Sequence, residues 1–200
     1  MVWPLVGDAI QLYGGYGFSE EYPLAQLARD CKIYSIWEGT NYIQSMDLVN
    51  RKWNLKQGQV FADWLQDMEC IINTIASRDD FTAESAIMGK GLASYKRIKA
   101  MMDEFRQQGR GEMLPLYATR ILHATAQLCC GTLLLDQAAV AADKIKELGR
   151  EHWDLAFYQG KIDAARFYIR NHVPAIMHLE SILQYGDDTA LTVMEESLGR

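Results

Sequence analysis

The sequence predicts an all-α protein: a short helical segment that feeds a four-helix, up-down-type bundle. Strand signals are nearly absent, and apolar residues recur at helical spacing along almost the whole chain. From Val60 onward the chain divides into long stretches with apolar seams, separated by clusters of Gly or Asp. The 200 residues, 49% apolar and 23% charged, suffice for one or two domains with a real core.

The first helix is expected over about Val6 to Tyr13, stopped by Gly14-Gly15, since glycine readily takes the left-handed conformation that ends a helix. A loop then runs to Pro23, which can occupy the first turn of a short helix ending near Lys32. Thr40 is a candidate N-cap for a third helix, Asn41 to about Trp53. Residues 54–58 read as a hinge, so the sequence divides into a first part, 1–53, and a second, 58–200. In the second part, Phe61, Leu65, Met68, Ile72 and Ile75 share one face of a helix. Asp79 to Thr82 offers caps for a helix to about Gln108, with Ile87, Gly91, Ile98, Met102 and Phe105 inward. After Gly109-Arg110-Gly111, a helix from about Leu114 to Leu148 is apolar nearly all round between Ile121 and Ala142, the pattern of the most buried helix, and Gly149 is its expected stop. The last long helix has a seam of Leu155, Tyr158, Ile162, Ala165, Ile169, His172, Ile176, Leu179 and Leu183 in steps of three and four. Pro174 should kink it by freeing the Arg170 carbonyl. A short terminal helix is expected over Thr189 to Leu198.

A formal net charge of −6 argues against a nucleic-acid partner, which needs a basic face. No stretch approaches the length of a membrane span, and the first residues lack the basic and apolar regions of a secretory leader. The four cysteines form no CxxC pair and suit a reducing compartment, cytosol or mitochondrial matrix. Vicinal Cys129-Cys130 reads either as a redox pair or, the simpler account, as small apolar fillers on a buried helix. His123 and His152 have no partners at ligand spacing, and His172 reads as a packed seam residue, so no metal site is expected. Gly14-Gly15-Tyr16-Gly17 follows a helix and no strand, which excludes the nucleotide fingerprint of a parallel sheet.

The segment with chemical promise is Trp37-Glu38-Gly39-Thr40. Ile33, Tyr34, Ile36 and Trp37 would surround the Glu38 carboxylate with apolar bulk, and desolvation strengthens a carboxylate as a base. Gly39 lets a ligand lie against the backbone. An equally physical account has Glu38 simply preceding a helix and interacting with its positive end. The residues alone leave both readings open.

Residues from about Asp8 to Val49 resemble the end of the C-terminal helical domain of acyl-CoA dehydrogenases. The resemblance rests on Ala9-Ile10-Gln11, Gly14-Gly15-Tyr16-Gly17-Phe18, Glu21-Tyr22-Pro23, Leu27, Arg29-Asp30, Lys32-Ile33, Ile36-Trp37-Glu38-Gly39-Thr40 and Ile43-Gln44, in order and without a gap. The rest is similar, more loosely, to the extra helical domain of the acetyl-CoA dehydrogenase-like subgroup, through Asp47-Leu48-Val49, Arg51-Lys52 and the four-helix pattern.

The resemblance implies α,β-dehydrogenation of an acyl-CoA thioester with FAD as hydride acceptor, in a homo-oligomer. It places the catalytic base on Glu38 and makes its amide a donor to the thioester carbonyl. Trp37, where the family often has tyrosine, and Gly39 would contact substrate. Thr40 and Asn41 would contact the FAD beside Glu38, and Gln11, Gly14 and Gly15 the FAD of a neighbouring subunit. Arg29-Asp30 is expected as a structural ion pair. Nothing in the sequence corresponds to the family's N-terminal helical domain, its β domain or most of its C-terminal helical domain. The resemblance thus implies the tail of a larger enzyme, inactive by itself. A non-enzymatic reading stands beside it, with the bundle as an assembly or docking module.

Overall fold

A computed structural model describes residues 2–148 and 152–199. It is helical throughout, with no strand among the described residues, and it separates into two compact units, Met1–Ser45 and Met46–Arg200.

The first unit holds α1 (Val2–Tyr13), α2 (Gly15–Phe18), α3 (Pro23–Ile33) and the start of α4 (Thr40–Met46). Helix α1 begins four residues before the expected Val6. Pro4 lies in its first turn, where a missing N–H breaks no helical bond. Gly14, at φ +58°, ends it as the sequence predicts. The stretch expected as loop winds into α2 because Gly17 packs directly on α1: a Cβ there would lie 2.5 Å from the Ile10 carbonyl oxygen. Among the described apolar residues of this unit, only Val6 and Leu24 are buried.

The second unit opens with a π-helical turn, Asp47–Arg51, and a 3-10 stretch, Lys52–Gly58. The single helix expected over 41–53 therefore changes winding twice, and Leu48, Val49 and Trp53 enter the core of this unit. The compact units accordingly meet between Ser45 and Met46, ahead of the hinge read at 54–58, where Lys56, Gln57 and Gly58 turn the chain with positive φ. The bundle comprises α5 (Gln59–Ala76), α6 (Thr82–Gln107), α7 (Met113–Leu148), and a fourth rod broken into α8 (Leu155–His172) and α9 (Pro174–Gln184). The expected stop of α7, Gly149, lies outside the described residues. The terminal helix is shorter than expected: α10 (Thr189–Thr192) and a 3-10 turn (Glu195–Leu198) are separated by extended backbone at Val193 and Met194.

Cross-helix contacts fix the topology. Lys96 bonds Glu69, Tyr95 meets Thr125 and Lys146 reaches Asp80, so α6 runs antiparallel to both α5 and α7. Arg170 pairs with Glu84 and Arg97 with Glu180, so the α8–α9 rod runs parallel to α6 across the bundle. This is the up-down arrangement the seams predict. Helix α7 packs against α5, α6, α8 and α9, as its apolar composition foretold. It is not buried all round, however: Cys130, Leu133 and Val140 are exposed along one stripe. Cys130 is therefore no core filler. Cys129 is half-buried, and burial raises its thiol pKa above the ordinary value.

The break at Pro174 organises the core. Val173 is fully buried and sits against two glycines: a Cβ at Gly91 would lie 2.9 Å from Val173 Cγ1, and one at Gly131 would lie 3.0 Å from Val173 Cγ2 and 2.8 Å from Met88 Sδ. Val173 keeps helical dihedrals, but α9 restarts with Ile176 N–H donating to the Val173 carbonyl. The seam position assigned to His172 is thus taken by Val173, while His172 stays half-buried with its ring 5.0 Å from that of Tyr168.

Tyr95, Glu84 and Glu180 carry bonded polar groups into the core, whereas Trp53 Nε1 and Ser85 Oγ are buried with no hydrogen-bond partner among the described residues. Tyr95 shares a 2.5 Å hydrogen bond with Thr125, and burial pushes its phenol up to about 12. The Glu84 carboxylate, 2% exposed, accepts from Arg170, as an ion removed from water requires. Glu180 is held by Arg97 in a two-pronged pair, which keeps its carboxyl below the ordinary 4.5.

Two outcomes test this packing. Gly91→Ala and Gly131→Ala should each destabilise the chain by about 1–3 kcal/mol through overpacking on stiff Val173. Gly160→Ala, with open space around it on α8, should stabilise by roughly 0.5–1 kcal/mol. Urea midpoints measure all three, and equal shifts would refute the close approach. Glu180 contributes stability that is present above its ordinary 4.5 and lost as pH falls through its lowered folded value. The gap in stability between wild type and Glu180→Gln should therefore shrink between pH 5 and 3; a constant gap would show that the ion pair is not its source.

Candidate functional site

The turn between α3 and α4 is the most strained backbone in the first unit. Trp37 N–H donates to the Ile33 carbonyl, Thr40 N–H to Ile36 and Asn41 N–H to Ser35, which folds residues 33–41 into a compact knot. Three consecutive residues there have positive φ: Glu38 at +54°, Gly39 at +102° and Thr40 at +61°. Left-handed backbone costs a non-glycine residue about 1–2 kcal/mol, so Glu38 and Thr40 need local compensation. Thr40 Oγ1 accepts from Ile43 N–H at 3.4 Å, the capping bond the sequence predicts, although the helix itself starts at Thr40. Gln44 Nε2 donates to the Glu38 carbonyl at 2.6 Å. Gln44, given no role of its own in the sequence reading, is the side chain that braces this turn. Its signal was a long amide side chain one turn after a candidate N-cap, placed to reach back over the turn.

This arrangement leaves donors unused. Among the described residues, neither the Glu38 nor the Gly39 amide has a hydrogen-bond partner, and the side-chain amide of Asn41 has none either. The Thr40 hydroxyl accepts one bond and keeps its proton to donate. A carboxylate, two free N–H groups and a hydroxyl donor thus converge on one turn. Such a set can remove a proton and steady an adjacent developing oxyanion.

The expected apolar enclosure of Glu38 is not supplied by its sequence neighbours. Glu38 is exposed, as are Ile33, Tyr34, Ile36 and Trp37; Trp37, at 54%, rests edge-on against Tyr34. Neighbours in a turn splay outward and cannot close over one another without a second layer.

Gln11, Gly14 and Gly15 form a separate exposed turn at the end of α1. Gly14 and Gly15 have open space where a Cβ would stand, and the Gln11 side chain is unpartnered among the described residues. Around them Leu12, Tyr13, Tyr16 and Phe18 are exposed, an apolar surface far larger than the two-residue core beneath it. Arg29 does not pair with Asp30. Adjacent helical residues face apart, and Arg29 instead bonds Glu20 at 3.1 Å, an exposed pair worth at most about 1 kcal/mol.

Among the described residues no group of three or more His, Cys, Asp or Glu side chains could hold a metal ion, and no helix is long and apolar enough to cross a membrane.

Residues 1–52 match the family described as the acyl-CoA dehydrogenase C-terminal domain, and residues 64–194 match the one described as acetyl-CoA dehydrogenase C-terminal like. A butyryl-CoA dehydrogenase of Syntrophomonas wolfei is 43% identical over 198 residues, covering 99% of this chain and 32% of that protein. The broad-specificity linear acyl-CoA dehydrogenase FadE5 of Mycobacterium tuberculosis is 28% identical over 94% of this chain and 31% of its own length. A short-chain-specific acyl-CoA dehydrogenase of Megasphaera elsdenii is 59% identical over 39 residues, 20% of this chain and 10% of its own. The chain thus spans about a third of the length of the curated relatives that match it throughout. With both helical parts matched in order, the chain belongs to the acyl-CoA dehydrogenase family.

Proposed function

We propose that the chain is the C-terminal part of an FAD-dependent acyl-CoA dehydrogenase, with Glu38 as its base. The observation that carries this reading is the strained turn that presents the Glu38 carboxylate beside the unpaired Glu38 and Gly39 amides. Those amides can donate to a thioester carbonyl and make the α-proton acidic enough for Glu38 to take it. FAD, when bound, supplies the acceptor for the β-hydride. The Thr40 hydroxyl and Asn41 amide are free to hold the flavin beside Glu38, while Gln11, Gly14 and Gly15 offer a side-chain amide and open backbone to the flavin of a second subunit. Trp37 and Gly39 would wall the acyl group. Residues 1–53 form the end of the catalytic helical domain in this reading, and 58–200 the appended bundle. The exposed Leu12, Tyr16, Phe18, Ile36 and Trp37 would be covered by upstream domains and a second subunit, which would also desolvate Glu38. Unpaired cysteines suit the cytosol or a mitochondrial matrix.

In the full-length enzyme, Glu38→Gln should lower dehydrogenation by about a hundred- to ten-thousandfold, as removal of a proton-abstracting group does, while flavin absorbance is retained. Stopped-flow flavin reduction by an acyl-CoA measures this, and undiminished reduction would remove Glu38 from the base role. The bundle also supports a second reading, an assembly module, because Leu133 and Val140 on α7 and Phe157 and Phe167 on α8 are exposed. Deletion of residues 58–200 from the full-length enzyme should then reduce its oligomer size in sedimentation; an unchanged size would discard this role.

A further inference from the structure

Helices α7 and α9 do not close completely where the fourth rod breaks. A groove of about 270 Å³ remains between them, floored by Ala124, Leu179 and Ile182 and rimmed by Arg120, His123 and His178. Small side chains on both walls, Ala124 and Ala175, leave this space.

The rim is chemically unlike the rest of the bundle surface. Every other described arginine of the second unit bonds an oxygen, from Arg51 with Asp47 through Arg78 with Asp143 to Arg170 with Glu84. Arg120 bonds none among the described residues and rests only over the ring of Tyr117, at 5.6 Å. His123 and His178 likewise have no hydrogen bond or ion pair among them. No acidic residue occurs in α7 between Glu112 and Asp136. On the facing rod the one carboxylate between Asp163 and Asp187 is Glu180, which Arg97 already holds. In a chain of net charge −6, this groove gathers a guanidinium and two imidazoles, none of them bonded to a carboxylate among the described residues.

We infer that the groove binds a small amphiphilic oxyanion, a short aliphatic carboxylate. The planar guanidinium of Arg120 would grip the head bidentately, an imidazole N–H from His123 or His178 would add a third bond, and the tail would lie on the Ala124–Leu179–Ile182 floor. Guanidinium forks suit phosphate equally, but phosphate would leave the apolar floor in water. The site belongs to the second unit and is independent of the role of Glu38.

Calorimetric titration of the 200-residue chain with hexanoate, inorganic phosphate and hexanol tests the inference, with hexanoate-induced NMR shifts locating the site. Hexanoate should bind saturably and shift the His123 and His178 ring resonances, phosphate should bind at least tenfold more weakly, and hexanol should not saturate. Arg120→Gln should weaken hexanoate about tenfold or more while circular dichroism stays unchanged; His178→Gln, also on the surface, should weaken it less. Hexanoate affinity unaltered by both variants would overturn the site. Phosphate binding as tight as hexanoate, or hexanol matching it, would overturn the amphiphilic ligand.

Discussion

The second unit depends on one contact, the wedge of Val173 between Gly91 and Gly131. The helix break at Pro174 has to happen inside a bundle whose other helices run unbroken past it. A bend would normally open a gap, and a gap in a core forfeits dispersion contacts. Here the gap is closed from the other side, because two helices without a Cβ at that level approach until Val173 touches both. The buried seams of α6, α7 and the fourth rod then stay in register above and below the break. Each fully buried Ile, Leu or Met along them contributes about 1.5–3 kcal/mol that a shifted register would lose.

The same closeness sets the electrostatics. Glu84 and Glu180 are nearly buried, and each carboxylate is met by an arginine from across the bundle that stays half-exposed. These pairs act more as specifiers of alignment than as sources of stability, since desolvation consumes much of their attraction. Against that pattern, Arg120 at the edge of the α7–α9 groove stands out as a guanidinium with no carboxylate partner among the described residues. The space beside it is left by the small side chains of Ala124 and Ala175.

The first unit follows a different logic. Its core is two apolar residues, and its backbone carries strain at Glu38, Gly39 and Thr40 that only local hydrogen bonds offset. Strain of this kind persists where surroundings over-determine it and clusters at functional turns. Around it Leu12, Tyr16, Phe18, Ile36 and Trp37 leave a large apolar surface exposed.

Much of this was legible in residue order. The three-and-four seam from Leu155 to Leu183, the stop at Gly14, the start at Pro23 and the break at Pro174 are local facts, because glycine and proline act on their own dihedrals and periodicity is a property of a single helix. The ordered run from Gln11 to Gln44 likewise marked the family and the Glu38 turn. Other features depended on contacts between segments far apart in sequence. Val173 displaced His172 from the seam because two distant glycines made room for it. Trp53 joined the bundle core rather than the segment before the hinge, and Cys130 fell on the exposed stripe of α7 because the neighbouring helices cover its other faces. Arg29 found Glu20, nine residues away, rather than its neighbour Asp30. The sequence by itself determined helices, breaks and family. Tertiary structure decided which residues are enclosed, since burial depends on what a side chain meets and local order fixes only where it starts.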